Sequence, residues 1–183
     1  TPVNPYTGNV HTEIKDLEIW GAAGDVSFSW MRYGNSRSGH YSNVYGTAHN
    51  WNASFMYEMQ DAGTNGQGRQ QLRIHYPEGG ENIFIQDAND PDLWLPEKGI
   101  GKRLFKSGDI FYLQTANGFR YRFEKLSTTY YQLQDFKDSH QNLYSLYYQN
   151  KRLIKIIEPA GRYFEIIYGD AGGKKVITKV ASS

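Results

Sequence analysis

Apolar and polar residues alternate along most of this chain. Val10, Thr12 and Ile14 share one side of a two-residue period, and Leu17 with Ile19 resumes it after a kink at Lys15-Asp16. Val26, Phe28 and Trp30 form a second set, and Trp51, Ala53, Phe55, Tyr57 and Met59 a third. Leu72, Ile74 and Tyr76 follow, and Ile83 with Ile85 comes after Pro77-Glu78-Gly79-Gly80. Short alternating runs with turn residues at both ends are the pattern of strands that bury one face. The stretch 87–106 breaks the rhythm with Pro91, Pro96, Gly99 and Gly101, and Leu93-Trp94-Leu95 within it reads as an edge strand or a packed loop. This stretch is the expected seam between two halves of the sheet. Beyond it, Phe111 and Leu113 lead through Ala116-Asn117-Gly118 to Phe119, Tyr121 and Phe123, and a further strand surrounds Tyr131 and Leu133. The Asn-Gly pair favours positive φ and a tight hairpin. No stretch carries a helical stripe over three turns. The expected fold is all-β, an antiparallel strand–turn–strand meander forming a curled sheet. It divides into an opening region, 1–105, and a hairpin region, 106–183, within one continuous unit.

The last third contains an internal repeat. Asn142-Leu143-Tyr144-Ser145-Leu146-Tyr147-Tyr148 returns twenty positions later as Arg162-Tyr163-Phe164-Glu165-Ile166-Ile167-Tyr168. The pairs Tyr144/Phe164, Leu146/Ile166 and Tyr148/Tyr168 fall on one side of a strand. A polar turn follows each copy, Gln149-Asn150-Lys151 in one and 169–173 in the other. Second strands then follow at Leu153 to Ile157 and at Val176 to Val180, and Gly118 to Phe123 is a partial echo. A strand–turn–strand unit is marginal alone and must add edge to edge to its neighbours. Two copies imply a chain that caps such an array or was cut from one, and an open sheet edge would invite oligomers.

Tyr148, Arg152-Leu153, Glu158, Gly161-Arg162 and Tyr168 resemble the Rhs/YD (tyrosine–aspartate) repeat, with Gln149 and Gly169 standing where that repeat has its Asp. Pro2-Val3 to Thr7-Gly8, Asp16-Leu17-Glu18-Ile19, Phe28 to Tyr33, Tyr45-Gly46 and Trp51 resemble, in that order, the domain that opens Rhs-type repeat regions. The resemblance runs with gaps from about Pro2 to Tyr168. It implies a long β-ribbon spiralling into a hollow shell. In bacterial members the shell is secreted or displayed at the surface and encloses a C-terminal toxin, and in animal teneurins a related shell supports adhesion. The expected partners are therefore the remainder of the chain's own shell and an enclosed cargo. The repeat-defining residues are Tyr144, Leu146, Tyr148, Arg152, Leu153, Gly161, Arg162, Phe164, Ile166 and Tyr168. The self-cleaving D-P-x-G segment of bacterial members has no counterpart, since Asp90-Pro91-Asp92 lies mid-chain without the glycine.

Composition narrows the chemistry. Twenty basic and nineteen acidic residues leave a net charge of +1, a poor basis for nucleic-acid affinity, which rests on phosphate neutralisation. No apolar run approaches the roughly 18–20 residues of a membrane-crossing helix. The chain starts at Thr1 without a charged-then-apolar leader and reads as processed or cut from something longer. Zero cysteines remove thiol nucleophiles, thiolate metal sites and disulfides. His11, His40, His49, His75 and His140 lack metal-ligand spacing. Asp87 to Asp92 begins like a calcium loop but meets Pro91 at the third ligand position and lacks the central glycine. Ser29 and Ser54 sit in strands rather than at a nucleophile elbow, and Gly63 to Gly68 reads as a hairpin tip. Glu58, Asp61, Glu78, Glu81, Asp109 and Glu124 could serve a glycosidase or lyase only by converging across a cleft. No cofactor, metal or catalytic residue is assigned. The competing binding role is a carbohydrate module with Trp51 or Trp94 as a stacking platform. With 15% aromatic residues, aromatic rows are read first as the core face of a sheet.

Overall fold

A computed structural model of the chain describes residues 9–21, 24, 27–36, 50–98 and 101–183. Among these, fifteen strands are the only regular elements. They are β1 His11–Glu18, β2 Ser29–Asn35, β3 Trp51–Ala53, β4 Glu58–Thr64 and β5 Gln70–His75. Next come β6 Glu81–Gln86, β7 Leu93–Pro96, β8 Lys102–Ser107, β9 Ile110–Thr115 and β10 Arg120–Lys125. The last five are β11 Tyr130–Lys137, β12 Leu143–Gln149, β13 Arg152–Ile157, β14 Tyr163–Ala171 and β15 Lys174–Ser182. The chain is all-β and its paired strands are antiparallel. It separates into two compact units, one of Tyr57–Tyr76 with Gly80–Ser145, the other of the described residues in Thr1–Met56, Pro77–Gly79 and Leu146–Ser183. The boundary expected at 105/106 falls inside β8 and is not a division of the structure.

The first of these units is a closed barrel. Strands β4 to β11 each pair with the next in sequence, and β11 pairs back to β4. The expected meander is present, but it closes instead of curling open. Closure depends on β11. Its opening residues, Tyr130 to Gln132, pair with β4, its closing residues, Asp135 to Lys137, pair with β12, and β10 lines its other edge. A register shift between Arg122 and Phe123 against β11 accommodates this double use, since a bulge bends a strand and increases its twist. Leu93-Trp94-Leu95 is no edge strand: β7 has a paired neighbour on each side.

Side chains fill the barrel. Met59, Leu72, Ile74, Phe84, Trp94, Leu104, Leu113, Phe123 and Leu133 are all fully buried, as an eight-stranded interior requires. Trp94 meets Phe111 edge-on at 5.2 Å, and Phe111 meets Tyr131 at 5.0 Å. Tyr57 packs against Tyr76 and Tyr121 at 5.9 and 4.9 Å. Phe84 takes the inward position on β6, so Ile83 and Ile85, the apolar pair that defined this strand in the sequence, face outward and are half-buried. Lys102 and Lys106 share the inward parity of Leu104 on β8, and their ammonium groups lie over Tyr76 and Phe111 at 4.0 and 5.9 Å. Lysines at strand ends can cover aromatic rings with their stems while the charge reaches solvent.

The second unit holds the sheet β1–β2–β3 and the strands β13 to β15. Its core is aromatic: Phe28 is fully buried, stacks on Phe164 at 4.5 Å and touches Phe55 at 5.9 Å, while Trp30 meets Phe164 at 6.3 Å. The single strand expected from Trp51 to Met59 is broken here. Phe55 has φ +68°, and Met56 N–H donates to Ala53 O. Ser54 holds the break open, because its Oγ accepts from Met31 N–H at 2.8 Å while its own N–H donates to Met31 O. The left-handed residue turns the chain so that Phe55 and Met56 are buried in succession, at 7% and 0% exposure.

Candidate functional site

The features most specific to this chain are the two turns of the twenty-residue repeat and the strand that ends the ribbon. The turns share one hydrogen-bond pattern. Asp138 N–H donates to Asn142 O and Gln141 N–H to Asp138 O, and Glu158 N–H donates to Arg162 O and Gly161 N–H to Glu158 O. The fourth residue of each turn is left-handed, Gln141 at φ +66° and Gly161 at φ +87°. The hairpins at 65–69 and 115–119 have the same form, with Gly68 and Gly118 at positive φ. At Asn117-Gly118, therefore, only the glycine takes the left-handed conformation. The turns whose two central residues both have positive φ are instead Asn150-Lys151, between β12 and β13, and Gly172-Gly173, between β14 and β15.

A buried carboxylate opens each repeat turn. Asp138 is 0% and Glu158 2% exposed. Asp138 Oδ1 accepts from the N–H groups of His140 and Asn142, both at 2.9 Å, and its Oδ2 accepts from Asn142 Nδ2 at 2.9 Å. Glu158 Oε1 accepts from Arg162 N–H at 3.2 Å and from Arg162 Nε at 3.0 Å. A carboxylate in this position satisfies turn amides that packing has removed from water. Arg162 reaches further, donating from Nη1 to Trp20 O at 2.7 Å and from Nη2 to Gly21 O at 2.8 Å. One guanidinium thus holds the repeat turn and the chain after β1 together. Asp138 was not among the repeat residues expected from sequence. Its signal is there nonetheless, since Asp138 and Asn142 precede Glu158 and Arg162 by the same twenty positions.

The repeat's apolar positions take the expected face. Tyr144 and Phe164 are fully buried, and Leu146 and Ile166 are 5% and 3% exposed. The intervening Tyr147 and Ile167 are 48% and 41% exposed. Tyr144 stacks on Phe136 at 4.5 Å. Leu153 is buried and Arg152 half-buried, with the Arg152 Nε enclosed and without a hydrogen bond. Tyr148 and Tyr168 are half-buried. The Tyr168 hydroxyl donates to Leu153 O at 2.9 Å. Burial raises the Tyr168 phenol well above its ordinary range, and the nearby Arg152 charge opposes that rise in part. Beyond β14, the strand β15 is hydrogen-bonded along one side only among the described residues, so its other edge is open.

The two tryptophans proposed for sugar stacking are placed differently. Trp94 is wholly buried in the barrel and presents no face to solvent, which removes it as a platform. Trp51 is half-buried, its six-membered ring lying against Gly34 so closely that a Cβ there would come within 3.0 Å, and the Arg32 guanidinium lies 5.7 Å from its centroid. Asp87 turns onto its own loop, Oδ1 accepting from Asn89 and Asp90 N–H, while Asp90 Oδ1 accepts from Asp92 N–H. His75 lies between Gln60 and Glu81 at 3.0 and 3.3 Å. Of the six carboxylates considered for hydrolysis, Glu58 is buried, and Glu78, Glu81 and Asp109 are exposed. Among the described residues, no group of three His, Asp or Glu converges. His40, His49, Tyr45-Gly46 and the segment Pro2 to Gly8 lie outside the described residues. No protein-family model matches the sequence, and no curated protein matches it either.

Proposed function

We infer that this chain is a structural segment that builds or caps a β-shell of the Rhs/YD-repeat kind, secreted or surface-displayed, with the rest of its own repeat array as principal partner. The carrying observation is the twenty-residue unit: its buried positions, carboxylate-opened turn and exposed alternates recur from one copy to the next, and the ribbon ends on an open edge at β15. Such an edge is a template for another strand, which suits a unit whose stability comes from its neighbours. The lysines Lys174, Lys175 and Lys179 on β15 are the kind of charge that keeps an edge from pairing with itself indiscriminately. In this reading the aromatic faces are packing surfaces and the chain carries no chemistry of its own.

The test is to express the chain together with the reading frame that follows it and image the product by electron microscopy. A hollow, ribbon-walled particle containing further twenty-residue units is the expected result. A product without further units, or robust polysaccharide turnover abolished by one carboxylate substitution, would overturn the reading.

A further inference from the structure

The outer wall of the barrel carries a row of side chains that its packing does not use. The registers set Arg103 opposite Gln114, Gln114 opposite Arg120, and Arg120 opposite Lys137, on four successive strands. Each alternates with an inward residue (Leu104, Leu113, Tyr121 and Phe136 respectively), so all four point outward. Arg103, Gln114 and Arg120 are exposed and Lys137 is half-buried. At about 4.8 Å per strand, the three cations span about 14 Å. None of them has an ion pair among the described residues. The barrel's other outward arginines are engaged: Arg122 by Asp135 and Glu124, Arg73 by Glu81.

A second row of different chemistry runs beside the first. Leu93, Phe105 and Tyr112 are opposite one another on β7, β8 and β9, two residues along the strands from the basic row and only half-buried. Leu95, 41% exposed, extends the apolar surface, and Arg120 leans over Tyr112 at 5.1 Å, joining the rows. At its β7 end the basic row meets a cleft of about 620 Å³, lined by Leu95, Pro96, Arg103, Gln114 and Thr115 among others. The cleft follows from the register. The β7–β8 ladder has only the pairs Leu93–Phe105 and Trp94–Leu104, and Pro96 has no N–H with which to extend it.

We propose that these two rows are a docking site for an extended polypeptide segment bearing alternating acidic and apolar side chains. Its carboxylates meet Arg103, Arg120 and Lys137, and its apolar side chains lie on Leu93, Phe105 and Tyr112. Charge complementarity selects the acidic character, and the parallel apolar row selects a polypeptide. A sulfated polysaccharide would use the cations alone, and a single-stranded nucleic acid would add only stacking on Phe105 or Tyr112 and leave the aliphatic part of the apolar row uncovered. An extended peptide advances about 3.3 Å per residue, so roughly five residues cover the row.

The test is fluorescence anisotropy of the full chain with a labelled peptide of alternating Glu and Leu. The comparison probes are the same peptide with Gln for Glu, an all-Glu peptide, heparin and a thymidine oligonucleotide. The Glu–Leu peptide should bind, more weakly as salt is raised. R103A/R120A should weaken it at least tenfold, and F105S should weaken it with circular dichroism unchanged. R103E/R120E should instead favour a Lys–Leu peptide, a gain that loss of folding cannot produce. Equal or tighter binding of heparin, the oligonucleotide or the all-Glu peptide would overturn the proposal in favour of a general polyanion stripe. Absence of Glu–Leu binding, or binding indifferent to these substitutions, would overturn it outright.

Discussion

The two copies of the repeat use the same local plan in different settings. In the first copy, β11 is paired along both edges, shared between β10, β4 and β12, and the turn at Asp138 leads out of a closed barrel. In the second, β13 and β14 form a ribbon between β12 and β15, and β15 has no further strand partner among the described residues. Yet both turns open on a buried carboxylate, and both return strands bury the same two alternate positions, Tyr144 and Leu146 in one and Phe164 and Ile166 in the other. The repeat thus encodes a turn and a buried face, not what the strand edges find. A bulge and a longer strand decide whether the sheet closes.

The largest effects should come from the shared face. Tyr144→Ala removes a side chain stacked on Phe136, and Phe164→Ala one stacked on Phe28. Each should cost about 3–5 kcal/mol in denaturant unfolding, as large-to-small aromatic changes in a core do. Tyr147→Ala and Ile167→Ala, at the exposed alternates, should each cost under about 0.5 kcal/mol. Equal costs on the two parities would break the equivalence of the copies.

The carboxylates come next. Asp138→Ala strands two turn amides and the Asn142 side chain, and should cost about 2–3 kcal/mol. Arg162→Ala removes the guanidinium bond to the buried Glu158 carboxylate and frees the carbonyls of Trp20 and Gly21. It should cost a comparable amount, about 2–3 kcal/mol, because breaking one side of a buried pair is the expensive change. Hydrogen exchange separates the two. The arginine substitution should raise exchange near Trp20, and the aspartate substitution should not.

Tyr168 offers a smaller effect with a pH signature. Its folded-state pKa is raised by burial, so the native chain keeps a proton that the unfolded chain releases above about pH 10. The stabilisation is complete below that pH and is lost as pH rises through the unfolded value toward the folded one. Tyr168→Phe should cost about 1 kcal/mol at neutral pH, for the lost bond to Leu153 O. It should also flatten the alkaline fall in stability expected of the parent chain.

The antiparallel order and the buried parity of the repeat were legible because alternation is a local signal, whereas β8 lay in the stretch whose prolines and glycines break that signal. Closure was not legible, because Tyr130 to Gln132 pairs with β4 residues some seventy positions earlier, and alternation carries no information about partners. β6 and β7 misled for a related reason. Barrel strands with apolar residues on both faces hide which face is inward, so Ile83 and Ile85 masked Phe84 while Leu93 and Leu95 masked Trp94. The break at Phe55 was hidden because a left-handed aromatic is uncommon, and Ser54, the residue that braces it, looks like any other strand serine. The carboxylate turn was half legible: Glu158 belongs to the repeat motif, but the apolar alternation of the first copy starts only after Asn142, four residues beyond Asp138.

The smallest difference between the copies is one side chain at a shared backbone conformation. Gly161 takes its left-handed φ without steric cost, whereas Gln141 carries a Cβ into the same region, at about 1–2 kcal/mol. Gln141→Gly relieves that strain but adds freedom to the unfolded chain, offsetting roughly 0.5–1 kcal/mol of the gain. The net expectation is a stabilisation of about 0.5 kcal/mol, read as a rise in the urea midpoint with unchanged slope. The reverse change, Gly161→Gln, should destabilise by a similar small amount, since open space surrounds the position where the new Cβ would project. Opposite signs for the two substitutions would show that the turns differ only in this residue. A Gln141→Gly variant less stable than its parent would mean that the glutamine side chain holds the Asp138 turn in a way the Glu158 turn does not need.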